Sequence, residues 1–202
     1  MEPTLESWGL RFMNKWLFSW LAYIALRWIS PNWSALLRLR EKKYLSVKLP
    51  EVTSLQDITE CEEQVEWTPD QELAPRTSLR FVNHILKLLW MDCLSYPETV
   101  WKRKKDDCDG KAILAAALLR QIGRRGLLLS VIMLPLKKSH AVCVFDDIGR
   151  TRYFSNSNLV TMLGLDIDMR SVISAVAKKN HVLAWSLVDP KTFKVLEVHR
   201  GL

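Results

Sequence analysis

The change of hydrophobic period near residue 126 constrains the fold of this 202-residue chain more than any other feature of its sequence. Before that point apolar residues recur at helical spacing, whereas beyond it they form short continuous runs bounded by turn signals. Leu127–Leu134 and Ser139–Phe145 are such runs, and Asp146–Gly149 predicts a turn into the next strand. We expect a short helix over Met169–Lys179 and then a closing pair of strands joined at Asp189-Pro190. Helices followed by a mostly antiparallel sheet predict the α+β class.

Composition divides the chain into three regions. Residues 1–48 form a tryptophan-rich segment with helical periodicity. Residues 49–76 are rich in Pro, Thr, Asp and Glu, which predicts an irregular acidic linker. Residues 77–202 are predicted to form the main domain. The helices expected in the first two thirds of the chain span residues 5–29, 33–43, 78–94 and 108–122.

The N-terminal segment is open to two interpretations. Its tryptophans recur at i+4 spacing close to basic residues, as in helices that lie in a membrane interface. The alternative, which we favour slightly, is a helix packed on the body of the protein or on a partner protein. The apolar run Trp16–Leu26 is shorter than the about 20 residues needed to cross a bilayer. The acidic start of the chain also differs from the basic start of a signal peptide.

Charge and cysteine content favour some partners and compartments over others. The formal charge is +7, but the basic residues occur in scattered short clusters without interleaved aromatics, so we expect no specific nucleic-acid binding. The four cysteines have no CxxC spacing, which argues against a zinc site. A chain of this size with four cysteines is also unlike a disulfide scaffold. We therefore expect a reducing, cytoplasmic location, with peripheral membrane association left open.

Cys108 occupies an unusual position, because it lies between two acidic residues at the start of an otherwise apolar helix. The unpaired N–H groups and the positive dipole end of a helix N-terminus favour a thiolate there. The adjacent Asp107 and Asp109 oppose that effect, so a further cation is needed, and an imidazolium is the usual one. The same N–H groups can stabilise an oxyanion.

His140 is the histidine best placed to supply that imidazole. It begins the predicted strand Ser139–Phe145, which would hold its ring at the edge of a sheet. The next strand ends in the polar residues Ser155 to Asn158, one hairpin away. A side-chain carbonyl from this group could accept a hydrogen bond from the imidazole and fix its tautomer, as the third member of a catalytic triad does.

In this arrangement the chain resembles the transglutaminase-like, papain-related superfamily, and within it the bacterial transglutaminase-like cysteine proteinases. The resemblance covers roughly residues 78–158 and leaves the N-terminal 75 or so outside it. The matching motifs are Val82-Asn83, Tyr96–Thr99, Asp107–Ile113, His140–Phe145 and Phe154–Asn156. The resemblance implies that the nucleophile helix packs on an antiparallel sheet, with the tryptophan-rich helices as an N-terminal extension.

The resemblance also implies roles for individual residues. Cys108 would be the nucleophile and His140 the general base and acid. The family usually has Asp as the third residue, and depending on register that position falls here on Ser155 or Asn156. We choose Asn156, because an amide orients an imidazole well, and keep Asn158 as the fallback. Two further candidates for the cleft or for oxyanion binding are Asn83 and Trp101.

A second departure from the family concerns calcium. Family members read Asp-Cys-Glu-Asp around the nucleophile, and some bind calcium through carboxylates flanking the cysteine. Here Asp107 and Asp109 remain, but Gly110 takes the place of the next acid. Calcium takes 6–8 oxygen ligands and two carboxylates are few for such a site, so we expect no cofactor and no metal. Asp107 and Asp109 are the candidate ligands if calcium does bind.

The sequence therefore predicts a cysteine-dependent acyl transfer on a peptide or protein amide through a thioester, with water as the acceptor in a thiol peptidase. An amine acceptor would instead make a transglutaminase. The alternative class is a catalytically impaired fold that acts as a binding or scaffold module, including at a membrane surface through the N-terminal helix. The missing Asp favours this alternative, and the presence of both Cys108 and His140 argues against it.

Overall fold

A computed structural model of the chain describes residues 5–37, 44–69, 94–163 and 168–202. Its centre is a six-stranded sheet in which every pair of neighbouring strands is antiparallel. The order across the sheet is β6-β5-β4-β3-β7-β8. These strands are β3 (Leu127–Leu134), β4 (His140–Asp146), β5 (Thr151–Ser155), β6 (Asn158–Thr161), β7 (His181–Val188) and β8 (Val195–Arg200). A separate parallel pair consists of β1 (Glu66–Trp67) and β2 (Lys105–Asp106).

Six α-helices surround the sheets in the described part of the chain. They are α1 (Leu5–Ile24), α2 (Ser30–Leu37), α3 (Leu55–Glu63), α4 (Pro97–Arg103), α5 (Cys108–Gln121) and α6 (Met169–Ala177). A π-helical turn, Ala25–Ile29, joins α1 to α2, and a 3-10 turn, Leu136–Lys138, precedes β4. The mixture of helices with an antiparallel sheet confirms the predicted α+β class.

The core has two main layers. One cluster of buried side chains joins α5, α3 and α4 to β3, β4 and β5. A second cluster joins α6 to the side chains that these strands and β7 present on their alternate positions. A smaller cluster packs Ala22 and Leu26 against Leu183 and Ala184 of β7, which fixes α1 to the sheet.

Helix α5 is the central element of the first layer, and ten of its fourteen residues are buried. Small residues such as Gly110, Ala112 and Ala116 allow it to approach the sheet and α4 closely. Asp107 is its N-cap, and its Oδ1 accepts a hydrogen bond of 3.1 Å from the backbone N–H of Asp109. The predicted helix over residues 108–122 is thus confirmed, with Cys108 in its first position.

A buried lysine ties α5 to α3. The ammonium of Lys111 donates hydrogen bonds of 2.7 Å to the main-chain oxygens of Glu62 and Val65, at the end of α3. A cation at this position also suits the negative end of the helix dipole. Burial raises the pKa of the Glu62 carboxyl well above its ordinary value, which favours its neutral form.

The linker prediction is wrong for part of its length. Leu55–Glu63 is a helix rather than irregular chain, and its Ile58 and Cys61 belong to the same core as α5. Its start carries a capping box in which Ser54 Oγ accepts from the Asp57 N–H and the Asp57 carboxylate accepts from the Ser54 N–H. The acidic composition of this stretch concealed that local signal.

The other predicted elements agree with the structure where it describes them. The strands predicted over residues 127–134 and 139–145 are confirmed as β3 and β4. The helix predicted over residues 5–29 extends through a π-helical turn, and the one predicted over residues 33–43 begins earlier, at Ser30. Residues 38–43 and most of the helix predicted over residues 78–94 lie outside the described residues.

Candidate active site

Cys108 lies at the N-terminus of α5 with its side chain partly accessible, whereas Cys61 and Cys143 are buried. Cys108 is therefore the cysteine whose sulfur is accessible to solvent and also lies where the helix dipole favours the thiolate. Burial raises the pKa of both Cys61 and Cys143, which keeps their thiols protonated and unreactive. Among the cysteines that the structure describes, Cys108 alone has the setting of a nucleophile.

Two cavities meet at Cys108 and His140. The larger has a volume of about 580 Å³ and the smaller about 180 Å³. Cys108, Ser139 and His140 line both of them, so the boundary between the cavities is formed by the two residues that the sequence singled out. The first strand residue of β4 and the first helical residue of α5 thus come together at one end of the sheet.

The hydrogen-bond partner of His140 is Ser155, one of the two residues that the register left open, and not the chosen Asn156. His140 Nε2 and Ser155 Oγ form a hydrogen bond of 2.8 Å, so the imidazole is oriented by the serine and not by Asn156. Strand geometry explains the difference. Extending the observed β4–β5 register by one pair places Val142 opposite Ser155, so His140, two residues before Val142, shares a face with Ser155. Asn156 falls on the other face, because a shift of one residue reverses the side-chain direction.

Asn156 serves the chain reversal between β5 and β6 instead. Its φ is +52°, in the left-handed region that asparagine tolerates better than most residues. Its Oδ1 is buried, has no hydrogen-bond partner among the described residues, and belongs to the wall of the larger cavity. The fallback residue, Asn158, also lines this cavity, but its side chain is exposed and does not bond to His140.

The environment of His140 favours the neutral imidazole. Burial lowers the pKa of His140, the negative charge of Asp107 raises that pKa, and the positive charge of Lys178 lowers it further. The net direction is downward, so at neutral pH the ring is available to accept a proton. The expected stabilisation of a resting thiolate by an imidazolium is therefore not favoured, whereas general-base catalysis is.

The acidic residues before and after Cys108 already have structural partners. Asp106, Asp107 and Asp109 each present a carboxylate oxygen within 4.8 Å of the others. However, Asp106 accepts hydrogen bonds from the Asp107 N–H and from Arg103, at 3.0 Å each, and Asp107 caps α5. These contacts account for Asp106 and Asp107 as supports of the helix start, and no metal site is proposed from the cluster.

Gly110 is required at its position for a steric reason. A Cβ at this position would overlap the Asp106 carboxyl, which is completely buried between Gly110 and the Arg103 guanidinium. The close approach of Asp106 to α5 therefore requires glycine. Asp106 and Gly110 form a matched pair that orients the turn before Cys108.

Two predicted cleft residues do not reach this site. Trp101 belongs to α4, packs against the core beneath it, and has the Lys104 ammonium over its ring, and it lines neither cavity. Asn83 lies outside the described residues. The sequence reasoning did not identify several residues that line the larger cavity, namely Trp67, Lys137, Lys138, Lys178 and Asn180.

Comparison with known proteins adds no relative. No protein-family model matches the chain. No curated protein is significantly similar to it in sequence. The likeness to transglutaminase-like proteins consequently depends on the motifs quoted above.

We expect the loss of a negative charge and the loss of a positive charge to shift the pKa of His140 in opposite directions. Asp107→Asn removes a charge that raises the pKa of His140 and should move the acidic limb of Cys108 alkylation to lower pH. Lys178→Gln removes a charge that lowers this pKa and should move the limb to higher pH. The measurement is the rate of reaction with iodoacetamide, a neutral reagent, against pH. Shifts of the same sign would contradict the electrostatic account.

We also expect Gly110→Ala to destabilise the protein by about 2–4 kcal/mol, because the buried Asp106 carboxyl has no space into which it can retreat. Urea unfolding measures the loss. Gly149→Ala is the control, since its φ is +74° but no atom lies within 4 Å of the added methyl group. The free energy of unfolding of this control should fall by only about 1 kcal/mol, the cost of the backbone strain. Equal losses in the two variants would contradict the steric role of Gly110.

Proposed function

We propose that this chain is a cysteine peptidase with a transglutaminase-like core, in which Cys108 is the nucleophile and His140 the general base. One observation carries the proposal: an accessible cysteine at a helix N-terminus and a histidine oriented by Ser155 line the same open cleft. The antiparallel sheet with α5 packed on it agrees with the architecture that the resemblance implies.

The mechanism uses the tautomer of His140 that donates to Ser155. In the tautomer that carries its proton on Nε2, the ring donates to Ser155 Oγ, and Nδ1 remains free to accept the proton of the Cys108 thiol. The sulfur then attacks the amide carbon, and the N–H groups at the start of α5 are available to the oxyanion. Nδ1 returns the proton to the leaving amine as the C–N bond breaks, which leaves a thioester.

Hydrolysis of the thioester uses the same ring a second time. Neutral His140 removes a proton from water as the oxygen attacks the thioester carbon, and the C–S bond breaks. The proton passes back to sulfur and the carboxylic acid product leaves, so that the enzyme returns to its starting form. If an amine replaces water in this step, the product is a new amide and the reaction is a transamidation.

Ser155 makes this triad weaker than one with a carboxylate. A neutral hydroxyl orients the imidazole but supplies no negative charge to stabilise the imidazolium that forms during the reaction. This is the specific observation that favours the second candidate, a binding or scaffold module that retains the fold. The two candidates differ in whether His140 activates Cys108.

Reactivity of Cys108 tests the proposal directly. We expect iodoacetamide to label Cys108 between about pH 5 and 7, because neutral His140 removes the thiol proton as the sulfur attacks. His140→Ala should slow this labelling at least tenfold, since an unassisted thiol with a pKa of about 8.5 reacts slowly there. His181→Ala is the matched control, since His181 is exposed at the start of β7, outside both cavities. Peptide mapping by mass spectrometry locates and counts the label.

Turnover provides the second measurement. Cys108→Ala should abolish release of peptides from unfolded protein substrates while circular dichroism and thermal unfolding stay close to those of the wild type. Full turnover in Cys108→Ala would overturn the proposal. A slow, His140-independent reaction of Cys108, with no turnover in the wild type, would assign the chain to the binding module instead.

A further inference from the structure

The two cavities beside Cys108 carry opposite charges. Lys137 and Lys138 from the 3-10 turn and Lys178 at the end of α6 line the larger cavity, and none of the described residues in its wall is an aspartate or glutamate. The smaller cavity has the reverse composition, with Asp107 and Asp109 in its wall and no lysine or arginine among the residues that the structure describes there. The sign of the charge therefore changes across the boundary formed by Cys108 and His140.

The three lysines are free to meet a ligand. Each is exposed, and none lies within ion-pair distance of a carboxylate among the described residues. Several other lysines and arginines of the chain are paired, such as Arg124 and Arg152 with Asp147. Three unpaired cations around one cavity produce a positive potential that concentrates anions and steers them inward.

The pKa of His140 reflects the same division of charge between the two cavities, since Lys178 lowers this pKa and Asp107 raises it. The ring thus senses a positive charge from one cavity and a negative charge from the other. The larger cavity, at about 580 Å³, lies within the range of sites that hold a drug-sized ligand or several amino-acid side chains. Its remaining wall includes the donors and acceptors of Asn156, Asn158 and Asn180.

We propose that the larger cavity binds an acidic segment of a peptide, with Lys137, Lys138 and Lys178 facing its carboxylates. The smaller cavity then takes the residue on the other side of the attacked bond and disfavours a carboxylate there. This assignment of substrate class rests on the proposed peptidase function. The binding of an acidic peptide to the cavity, however, does not require that Cys108 turn over.

The charge preference of the cleft can be measured without a substrate. Iodoacetate and iodoacetamide both alkylate the Cys108 thiolate with loss of iodide, but only the first is an anion. The ratio of their rates reports the local potential, because a change in the thiolate fraction affects both reagents equally. We expect the triple variant Lys137→Gln, Lys138→Gln, Lys178→Gln to lower the iodoacetate-to-iodoacetamide ratio about three- to tenfold.

The control is a triple variant with the same loss of charge elsewhere: Lys179→Gln, Lys191→Gln and Lys194→Gln, three exposed lysines that do not line the cavity. Its ratio should stay within a factor of two of the wild type at 0.15 M salt, where exposed charges are screened beyond about 8 Å. Equal ratios in both triple variants would overturn the proposal.

A binding measurement separates this inference from the catalytic one. Fluorescence anisotropy compares labelled glutamate-rich, glutamine-rich and lysine-rich peptides of equal length on Cys108→Ala. We expect the glutamate-rich peptide alone to bind, with affinity lost in the cavity triple variant. Acidic-peptide binding without turnover by the wild type would reject the peptidase and keep the cavity assignment. Turnover without any charge preference would reject the cavity assignment and keep the peptidase.

A second inference comes from α1 and the π-helical turn. Ser19, Ala22 and Leu26 face the sheet, where Ser19 Oγ donates a hydrogen bond of 2.6 Å to the Leu183 carbonyl. The opposite side of the same helix is apolar as well. Its exposed residues, each 40–61% accessible, are Trp16, Leu17, Phe18, Leu21, Ile24, Trp28 and Ile29. Leu17, Leu21, Ile24 and Trp28 follow one another at i+4 and i+3 spacing and form one stripe.

The charge of the surrounding sequence indicates what covers this stripe. Residues 7–50 contain eight lysines and arginines against a single acid, Glu41, so this segment alone carries a charge equal to the +7 of the entire chain. Lys15 and Arg27 flank the stripe and are exposed. Exposed tryptophan, phenylalanine and leucine beside lysine and arginine describe a helix that lies in the surface of an anionic bilayer.

We infer that this face, Trp16 to Ile29, seats the protein on anionic lipid. The helix would lie along the membrane surface rather than across it, and among the described residues no helix is long and apolar enough to span a bilayer. The two interpretations of the sequence are then compatible, because one side of α1 packs on the sheet and the other is available to lipid.

Vesicle co-sedimentation tests the inference. We expect the full chain to bind vesicles of phosphatidylcholine with 25% phosphatidylglycerol, and Leu21→Gln, Ile24→Gln, Trp28→Gln together to weaken binding at least tenfold. Ile148→Gln, Leu163→Gln and Leu202→Gln is the control triple, since these side chains are exposed elsewhere. Binding unaffected by the face variant would overturn the inference, as would a dimer in size-exclusion chromatography that only the face variant dissociates.

Discussion

The seating of the first turn of α5 is the constraint on which the rest of the candidate site depends. Asp107 caps the helix, the buried Asp106 carboxyl packs against Gly110, and Lys111 bonds to the end of α3. Because these contacts surround Cys108 in sequence, they fix the helix start in position and direction. A nucleophile must be held to within about 0.5 Å of its productive geometry, and a rigid helix end provides this better than a loop.

The charged groups of the candidate site are spread around it and are not concentrated in one ion pair. His140 is oriented by a hydroxyl, and burial favours its neutral form. The two charged groups that shift its pKa in opposite directions, Lys178 and Asp107, line different cavities. In the proposed reaction, such a site would rely on the helix dipole and on proton transfer more than on a preformed ion pair.

Sequence reasoning recovered the elements whose signals are local and strong. The continuous apolar runs of β3 and β4 and the acidic start of α5 predicted the layers and placed Cys108 and His140 at their ends. It missed α3, because the Ser54 and Asp57 capping box is a two-residue signal in a stretch whose composition suggests a loop. Attention to that pair would have identified the helix.

The hydrogen-bond partner of His140 shows a different limit. The choice between Ser155 and Asn156 depends on the register of β4 with β5, and a period of two makes a single residue decisive. The lysines of the larger cavity were beyond sequence reasoning for another reason. Lys137 and Lys178 are 41 positions apart, and only the return of α6 to the end of the sheet brings them to one cavity.

The sheet-facing side of the N-terminal helical segment also borders the candidate site. Leu26, which packs on β7 in the small cluster with Ala22, also belongs to the wall of the smaller cavity beside Asp107 and Cys108. The N-terminal segment thus contributes a side chain to the wall of the cavity beside Cys108. Under the two proposals, a lipid surface that displaced this segment would also change the width of the smaller cavity, so that attachment and substrate entry would be mechanically linked.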